Sequence, residues 1–304
     1  GYGMSAIAGI FHRDGSPVQR SRIQEMVDIL YHRGSDGARI WQQGNMALGN
    51  RMLQTTVSSC HEEMPACSAA GGLVITADCR LDNREELWKA LGRQGVPGDE
   101  ITDSTLIMMS YERWAEDCPR RLLGDFAFAI WDQARRRFFC ARDPMGVKPF
   151  YYHCSDRQFV FASEMKAILE DHQIDRELDE AWIGDYLTDS WADKTHTIYR
   201  AIRRLEPAHT LLVDPQVIRL NRYWALDPKR EILHSNDDEY FEEFRSLFFE
   251  AVRCRMNSIH PVGSMLSGGL DSSSITCVAR TLSHGDRKLG TFSAIFPSIP
   301  TCDE

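Results

Sequence analysis

The sequence predicts an α+β sandwich of stacked antiparallel sheets, followed by the start of an α/β domain. Two observations support this. Strands rich in aromatic and β-branched residues follow one another without long helices between them, which is typical of antiparallel sheets. After Tyr223–Pro228 the pattern changes to a long amphipathic helix and then strand, glycine turn, helix and strand, a parallel β/α unit. We therefore expect a sandwich domain over 4–222, a linker over 223–236 and an α/β domain over 237–304.

Composition excludes several classes of protein. The chain has 304 residues, 43% hydrophobic and 26% charged, which is ordinary for a globular protein and sufficient for two domains. Its net charge of -9 argues against a nucleic-acid partner. No apolar run reaches the ~18 residues of a membrane span, and no secretion signal is visible. The nine cysteines are an odd number, which favours reduced thiols and a cytoplasmic location.

The strands and helices of the first domain are predicted from the spacing of the apolar residues along the sequence. Alternating apolar residues indicate strands, and spacings of three and four residues indicate helices. The run 126–132 alternates in this way, so its aromatic side chains are expected in the core rather than on a binding surface. The predicted strands are 4–11, 47–53, 73–76 (entering 78–81), 126–132, 137–143, 150–152, 159–161, 210–214 and 217–220. The predicted helices are 22–30, 84–91, 103–114, 164–169 and 179–187.

The second domain is predicted to begin with a helix over 237–256, whose buried side carries Tyr240, Phe241, Phe244, Leu247, Phe248 and Val252. A strand over 262–266 then leads into Ser267-Gly268-Gly269-Leu270-Asp271-Ser272-Ser273, a helix over 272–282 and a strand over 288–296. The glycines allow a tight turn close to a ligand. The helix start offers unpaired N–H groups and the positive end of its dipole, which suit a phosphate or pyrophosphate.

Asp271 carries a negative charge beside this predicted anion site, so it is expected to hold Mg²⁺ that bridges to phosphate. A Walker A lysine is absent from this stretch. The pattern S-G-G-x-D-S resembles the pyrophosphate loop of the N-type ATP pyrophosphatases. The candidate nucleotide-binding residues are Leu266, Ser267, Gly268, Gly269, Asp271, Ser272, Ser273 and, at the end of the next strand, Ile295.

Six motifs in order extend the resemblance over nearly the whole chain. They are 7–11 (IAGIF), 32–37 (HRGSDG), 126–132 (FAFAIWD), 142–149 (RDPMGVKP), 161–166 (FASEMK) and 267–273 (SGGLDSS). The chain thus resembles the asparagine synthetase superfamily, which includes the β-lactam synthetases and the lasso-peptide cyclases. This resemblance implies an Ntn-hydrolase-like αββα sandwich, a class II glutamine amidotransferase-like domain, followed by an adenylating α/β domain that uses ATP and Mg²⁺.

The departures from that family concern its glutaminase site. The family nucleophile is an N-terminal cysteine, whereas the matching residues here are Ser5 and Ala6, and a serine is a poor nucleophile without a base. The family's Asn-Gly-Glu corresponds to 78–80, Asp-Cys-Arg here, and its carboxylate-binding arginine to about Met52. Asp103 matches a family acid. We therefore expect Ser5 to be a degenerate nucleophile position and the domain not to hydrolyse glutamine. A structural turn network is expected of His32, Arg33 and Asp36.

For activity, the resemblance implies an amide-forming synthetase that passes through an acyl-adenylate and releases AMP and pyrophosphate. A lost glutamine site favours an amine already present in the substrate, as in macrolactam closure by the lasso-peptide cyclases. Segments 78–87 and 124–132 also resemble the β-lactam synthetases and lasso-peptide cyclases more than asparagine synthetase itself. The alternatives are an asparagine synthetase that uses glutamine or ammonia, and a non-catalytic scaffold. Expected partners are a carboxylate- and amine-bearing small molecule or peptide, and a biosynthetic peptidase or precursor peptide; a homodimer is compatible with the sequence.

The last predicted β/α unit does not complete an α/β sheet. We therefore expect the chain to be part of a longer protein, with the residues that select the acyl substrate and deprotonate the amine beyond Glu304. On that expectation the 304-residue chain alone is inactive.

Overall fold

The computed structural model describes residues 4–190, 193–283, 289–295 and 298. It divides into two compact units. Unit 1 comprises Gly1–Gln54 and Ser58–Leu226, and unit 2 comprises Thr55–Val57 and Asp227–Glu304. Within the described ranges, no helix combines the length and the apolar character needed to cross a bilayer.

Unit 1 is built from short strands and helices. Its strands are β1 (Ala6–His12), β2 (Gly37–Gln43), β3 (Met46–Met52), β4 (Ala66–Cys67), β5 (Leu73–Leu81), β6 (Gly124–Asp132), β7 (Arg137–Arg142), β8 (Tyr151–Cys154), β9 (Gln158–Ala162), β10 (Arg203–Arg204), β11 (His209–Val213) and β12 (Ile218–Arg222). Its α-helices are α1 (Arg20–Asp28), α2 (Arg84–Ala90), α3 (Asp103–Trp114), α4 (Met165–Ile168) and α5 (Glu180–Leu187). Two 3-10 helices cover Ser58–His61 and Ala115–Arg121. All five predicted helices are present, with ends within two residues of the prediction.

The strands form two six-stranded antiparallel sheets. The first has the order β10-β8-β9-β1-β3-β2, and the second has the order β12-β11-β7-β6-β5-β4. One apolar cluster joins Ile7 and Phe161 of the first sheet to Ala129 and Phe138 of the second, so these faces pack against each other. Helices α1 and α4 cover the outer face of the first sheet, and α2 and α3 cover that of the second. The predicted αββα sandwich is confirmed.

Strand β6 is buried from its second residue onward. Phe126 and Phe128 point to the helices beside the second sheet, whereas Ala127, Ala129 and Trp131 point between the sheets. All of them are at most 4% exposed. The prediction that this aromatic run is core rather than a binding surface is confirmed.

Three strands were not predicted: β2, β4 and β10. Strand β2 is the outermost strand of the first sheet and is mostly exposed or half-buried. Strands β4 and β10 have two residues each and also lie at sheet edges. Edge strands do not need the alternating apolar residues from which strands are predicted, so their sequences carry little signal.

Unit 2 contains α6 (Asp237–Arg255), β13 (Gly263–Met265), α7 (Leu270–Leu282) and β14 (Gly290–Phe292). Strands β13 and β14 are parallel, with Gly263 opposite Gly290, which confirms the predicted β/α unit. Helix α7 begins two residues before the predicted start because Gly269 is its N-cap. The ends of the predicted strand 288–296, Lys288 and Phe296, lie outside the described residues.

The predicted buried side of α6 is wrong for most of its length. Val252 is buried, but Phe241 and Phe244 are 67% and 69% exposed. The contact of α6 with α7 involves Val252, Phe248 and Phe249, in the C-terminal half of the helix, and Met256, its C-cap residue. The stripe was correctly recognised as apolar, but the apolar cluster that covers it contains only side chains that reach its C-terminal half. They come from α7 and from Leu289.

The second sheet offers a direct test of this core. Leu211 on β11 is fully buried, and Leu220, its partner across the strand pair on β12, is 51% exposed. Leu211→Ala should lower the free energy of unfolding by about 2–5 kcal/mol because it leaves a cavity. Leu220→Ala, the matched control, should cost less than about 1 kcal/mol. Urea denaturation of both variants measures the difference, and equal losses would contradict the assigned sandwich packing.

Candidate functional sites: a buried charge cluster and a serine-glycine loop

Ser5 lies immediately before β1 and is 8% exposed. Its hydroxyl accepts a hydrogen bond from the Leu53 N–H at 3.0 Å and lies 3.6 Å from the Met52 sulfur. Its carbonyl accepts a hydrogen bond from Arg33 Nε at 3.2 Å. None of the partners of the hydroxyl is a base, so these contacts do not activate Ser5 as a nucleophile.

Asp78 forms the centre of a buried charge cluster between the two sheets. Its Oδ1 lies 2.7 Å from Lys148 Nζ, with the two side chains 4% and 12% exposed. Its Oδ2 lies 3.9 Å from Arg33 Nη2, and neither of these two atoms makes a hydrogen bond. Burial raises the pKa of Asp78, and the Lys148 ammonium opposes that shift. The cluster thus links Asp78 to Ser5 through Arg33.

The segment after β7 holds Lys148 in place. The Arg142 guanidinium donates to the carbonyls of Gly146, Lys148 and Leu205, each at 2.7 Å. The Asp143 carboxylate accepts three backbone N–H groups, those of Met145, Val147 and Lys148. Gly146 has φ +68°, a conformation that favours glycine. The motif 142–149 is therefore a rigid loop that aims the Lys148 ammonium at Asp78.

The turn after α1 continues the cluster toward the surface. Glu164 Oε1 lies 2.9 Å from both Arg33 Nη1 and His32 Nε2. Burial raises the pKa of Glu164, but its hydrogen bonds with Arg33 and His32 outweigh burial and lower it below the usual range. Asp36 Oδ2 accepts from the Gln54 N–H at 2.7 Å. His32, Arg33 and Asp36 therefore tie the turn to its surroundings, as expected of a structural network.

The remaining charges of the predicted glutamine region are paired within the chain. Arg80 lies 3.2 Å from Asp82 and 3.7 Å from Asp125. Asp103 forms a short ion pair with Arg84 and accepts from the Leu81 N–H at 2.9 Å. Burial raises the pKa of Asp103, and Arg84 opposes that shift.

Sequence reasoning missed three members of this region: Glu62, Arg84 and Lys148. Glu62 accepts from the N–H and the hydroxyl of Ser104, at 2.9 and 2.5 Å, and so caps the start of α3 from a distant loop. Burial raises its pKa. Lys148 could have been suspected from its motif, and Arg84 from its place opposite an acid. No sequence pattern indicates Glu62, because its partner is 42 residues away.

The serine-glycine loop of unit 2, residues 267–273, follows β13 and includes the first turn of α7. Gly268 has φ +80°, and Gly269 caps α7. The hydroxyls of Ser267 and Ser272 lie 3.0 Å apart, and Ser272 Oγ also accepts from the Ser267 N–H at 3.3 Å. The predicted turn, helix start and hydroxyls are therefore brought together in one loop. The Ser267 N–H and the two hydroxyls bond within the loop, so an anion held by these groups would replace those bonds.

The other predicted nucleotide-site residues lie around this loop. Asp271 is exposed in the first turn of α7, and Ile295 is 69% exposed beyond β14. The Leu266 N–H donates to the Phe292 carbonyl at 2.8 Å, and the Leu266 carbonyl accepts from Ser293 Oγ at 2.5 Å. The side chain and the second lone pair of that carbonyl are therefore left for a nucleotide. The described ranges contain no group of three or more His, Cys, Asp or Glu side chains arranged for a metal. One carboxylate beside phosphate oxygens nevertheless fits Mg²⁺, which usually keeps several waters.

Two family models match the chain. Residues 4–224 match a glutamine amidotransferase domain, and residues 243–304 match asparagine synthase. Among curated proteins, the chain is similar to asparagine synthetase [glutamine-hydrolyzing] 3 of Bacillus subtilis, with 33% identity over 86% of this chain and 42% of that protein. It is 30% identical to the putative asparagine synthetase [glutamine-hydrolyzing] 2 of Methanocaldococcus jannaschii, over 96% of this chain and 60% of that protein. The chain thus spans about half the length of these curated relatives.

A solved structure also resembles the fold. Glutamine phosphoribosylpyrophosphate amidotransferase from B. subtilis superposes with a TM-score of 0.53 at 16% identity, over 94% of this chain and 65% of that protein. At this identity the likeness supports the fold alone, and it agrees with the two-sheet architecture of unit 1.

The buried pair makes a testable claim about stability. Asp78→Asn leaves the Lys148 ammonium buried without its anion and should lower the free energy of unfolding by about 3 kcal/mol. The double variant Asp78→Asn, Lys148→Met should recover most of that loss, because it removes both charges. Urea unfolding measures both.

A surface pair provides the control. Glu177 and Arg200 are 2.6 Å apart but more than half exposed, so Glu177→Gln should leave the unfolding free energy nearly unchanged. If Asp78→Asn lowers the free energy of unfolding as little as Glu177→Gln does, the Asp78–Lys148 pair does not constrain the fold.

Proposed function

The chain belongs to the asparagine synthetase superfamily, with a glutamine amidotransferase domain over residues 4–224, and we propose that it is part of an ATP-dependent, amide-forming synthetase that does not hydrolyse glutamine. The observation that carries the proposal is the buried charge cluster. Where the resemblance places the contacts to glutamine, Asp78 is paired with Lys148 and Asp103 with Arg84.

Two further features weaken a glutaminase role. Met52 stands about where the family has its carboxylate-binding arginine, and it contacts Ser5 through sulfur. An amino acid's carboxylate would thus meet a thioether instead of a cation. Ser5 is hydrogen-bonded to backbone and has no base among its partners. Unit 1 then serves as support for the synthetase rather than as its source of ammonia.

Unit 2 would bind ATP at the serine-glycine loop. Backbone N–H groups and hydroxyls of 267–273 would hold the β- and γ-phosphates, and the start of α7 adds the positive end of its dipole. Asp271 would hold Mg²⁺, which, when bound, offsets negative charge on the departing pyrophosphate. The odd cysteine count favours a cytoplasmic location, a compartment in which ATP is available.

The proposed reaction has two steps. A substrate carboxylate oxygen attacks the α-phosphorus, the bond to the β-phosphate oxygen breaks, and pyrophosphate leaves an acyl-adenylate. An amine then attacks the acyl carbon, AMP departs with the bonding electrons of the acyl–oxygen bond, and the amine loses a proton. Loop residues contribute by binding and orienting the phosphates, which is the main requirement for such displacements.

For the amine, we favour a group within the same substrate, as in macrolactam closure of a precursor peptide. A unit 1 that supplies no ammonia requires another nitrogen source, and an intramolecular amine meets that need. A second candidate is an asparagine synthetase that uses free ammonia or glutamine; the names of the two curated relatives favour it. A scaffold without activity is the third candidate, and the preformed serine-glycine loop argues against it.

The test is an incubation of the intact protein with ATP, Mg²⁺ and a panel of carboxylates that also carry amines, including peptides and aspartate with ammonia. AMP and pyrophosphate are measured, and the product is weighed by mass spectrometry. A product lighter by one water supports intramolecular amide formation. AMP only with aspartate and ammonia would support the asparagine synthetase, and no AMP with any substrate would overturn the synthetase proposal.

Restoring the family nucleophile should not restore glutaminase activity. In Ser5→Cys the thiol is a better nucleophile, but Asp78–Lys148, Asp103–Arg84 and Met52 remain. We expect no ammonia release from glutamine above that of the parent protein, measured by a coupled dehydrogenase assay. Ammonia release by this single variant would refute the loss of the glutamine site.

Asp271 is the proposed Mg²⁺ ligand, so Asp271→Ala should lower Mg²⁺-dependent exchange of pyrophosphate into ATP by about 100-fold or more. Asp238→Ala is the matched control, because Asp238 is likewise an exposed aspartate in the first turn of a helix, α6. Its exchange rate should be unchanged. Retained exchange in Asp271→Ala would remove Asp271 from this role.

A further inference from the structure

The peptide that joins Leu266 to Ser267 opens the serine-glycine loop. Two hydrogen bonds fix this peptide, and a third fixes the preceding peptide through the Leu266 N–H. The Leu266 N–H donates to the Phe292 carbonyl at 2.8 Å. The Leu266 carbonyl accepts from Ser293 Oγ at 2.5 Å. The Ser267 N–H donates to Ser272 Oγ at 3.3 Å. Ser293 follows β14 and lies outside the 267–273 motif, 27 residues from its acceptor.

The planarity of the peptide connects these bonds. In a trans peptide the C=O and the following N–H point in opposite directions. Because Ser293 holds the Leu266 carbonyl toward β14, the Ser267 N–H must point away from β14 and into the loop. There its acceptor is a hydroxyl of the loop itself, Ser272 Oγ. A serine hydroxyl is a weaker acceptor than a charged phosphate oxygen, so an anion in the loop would form the stronger bond.

The other end of the loop is anchored by a similar arrangement. Ser264 and Thr276 hydroxyls lie 2.8 Å apart, and Thr276 Oγ1 donates to the Ser272 carbonyl at 2.8 Å. These bonds hold α7 to β13. The peptide they fix is Ser272–Ser273, whose N–H donates to the Gly269 carbonyl and not to a hydroxyl of the loop. Ser293 is therefore the hydroxyl outside the motif whose hydrogen bond sets the direction of a loop donor.

We propose that Ser293 is a positioning residue for phosphate binding: by holding the Leu266 carbonyl, it aims the Ser267 N–H at an oxygen of a pyrophosphate group. The inference rests on the proposed function, since it concerns the same loop. It adds a residue that the motif does not contain, and it assigns the Ser267 N–H to the phosphates and not to the base or ribose of a nucleotide.

The test uses the intact protein and inorganic pyrophosphate with Mg²⁺, followed by isothermal titration calorimetry. Ser293→Ala should weaken pyrophosphate binding about five- to tenfold, part of the value of one hydrogen bond to a charged group. The melting temperature should be unchanged, because Ser293 is exposed. Ser293→Thr keeps the hydroxyl and should bind pyrophosphate like the parent.

A matched control separates this role from the loss of any serine hydroxyl. Ser283 Oγ also donates to a backbone carbonyl of unit 2, that of Ala279 at 2.8 Å, but at the far end of α7. Ser283→Ala should therefore leave pyrophosphate affinity unchanged. Parental affinity in Ser293→Ala, or equal losses in Ser293→Ala and Ser293→Thr, would overturn the positioning role while the proposed function stands. A parent protein that binds neither pyrophosphate nor ATP would overturn both.

Discussion

The ion pair between Asp78 and Lys148 is the interaction on which the proposed loss of glutamine hydrolysis depends. A carboxylate between two packed sheets must be paired or it destabilises the fold, and Lys148 supplies the partner at 2.7 Å. Lys148 is in turn fixed by the loop that Arg142 and Asp143 organise. If the Asp78 carboxylate bound a substrate instead, the buried Lys148 ammonium would lose its ion-pair partner.

The two units use polar groups in opposite ways. In unit 1 the charged side chains of the predicted glutamine region lie between packed layers. They form ion pairs with one another, Asp78 with Lys148 and Asp103 with Arg84, and these pairs fix their positions. In unit 2 the residues Ser267–Gly269 are exposed, and the loop's own groups accept its hydrogen bonds. The Ser267 N–H donates to the Ser272 hydroxyl, and the Ser272 hydroxyl and the Ser273 N–H donate to the Gly269 carbonyl. Such weak internal bonds can be replaced by an anion at small cost, whereas buried ion pairs cannot. This contrast explains why we assign ligand binding to the loop and a supporting role to the sandwich.

Much of this arrangement could be predicted from the sequence, and the failures have physical causes. Hydrophobic period identified the core strands and the helices because those elements bury one face. It missed β2 at a sheet edge, where no face needs to be apolar. It identified the apolar stripe of α6 but not the exposure of Phe241 and Phe244. The spacing of hydrophobic residues shows that a helix has an apolar face, but not which element packs against that face. The motifs located both sites, yet the pairing of Asp78 with Lys148 joins residues 70 positions apart and needed three dimensions.

The loss of the glutamine site can be tested by asking whether unit 1 binds glutamine at all. Saturation-transfer NMR on the intact protein with millimolar L-glutamine measures this without requiring turnover. We predict no transfer to the glutamine side-chain protons, while ATP in the same sample shows transfer at its base protons. Transfer to glutamine that disappears on adding an excess of a non-hydrolysable glutamine analogue would contradict the account, because it would show that the charge cluster leaves an open glutamine pocket.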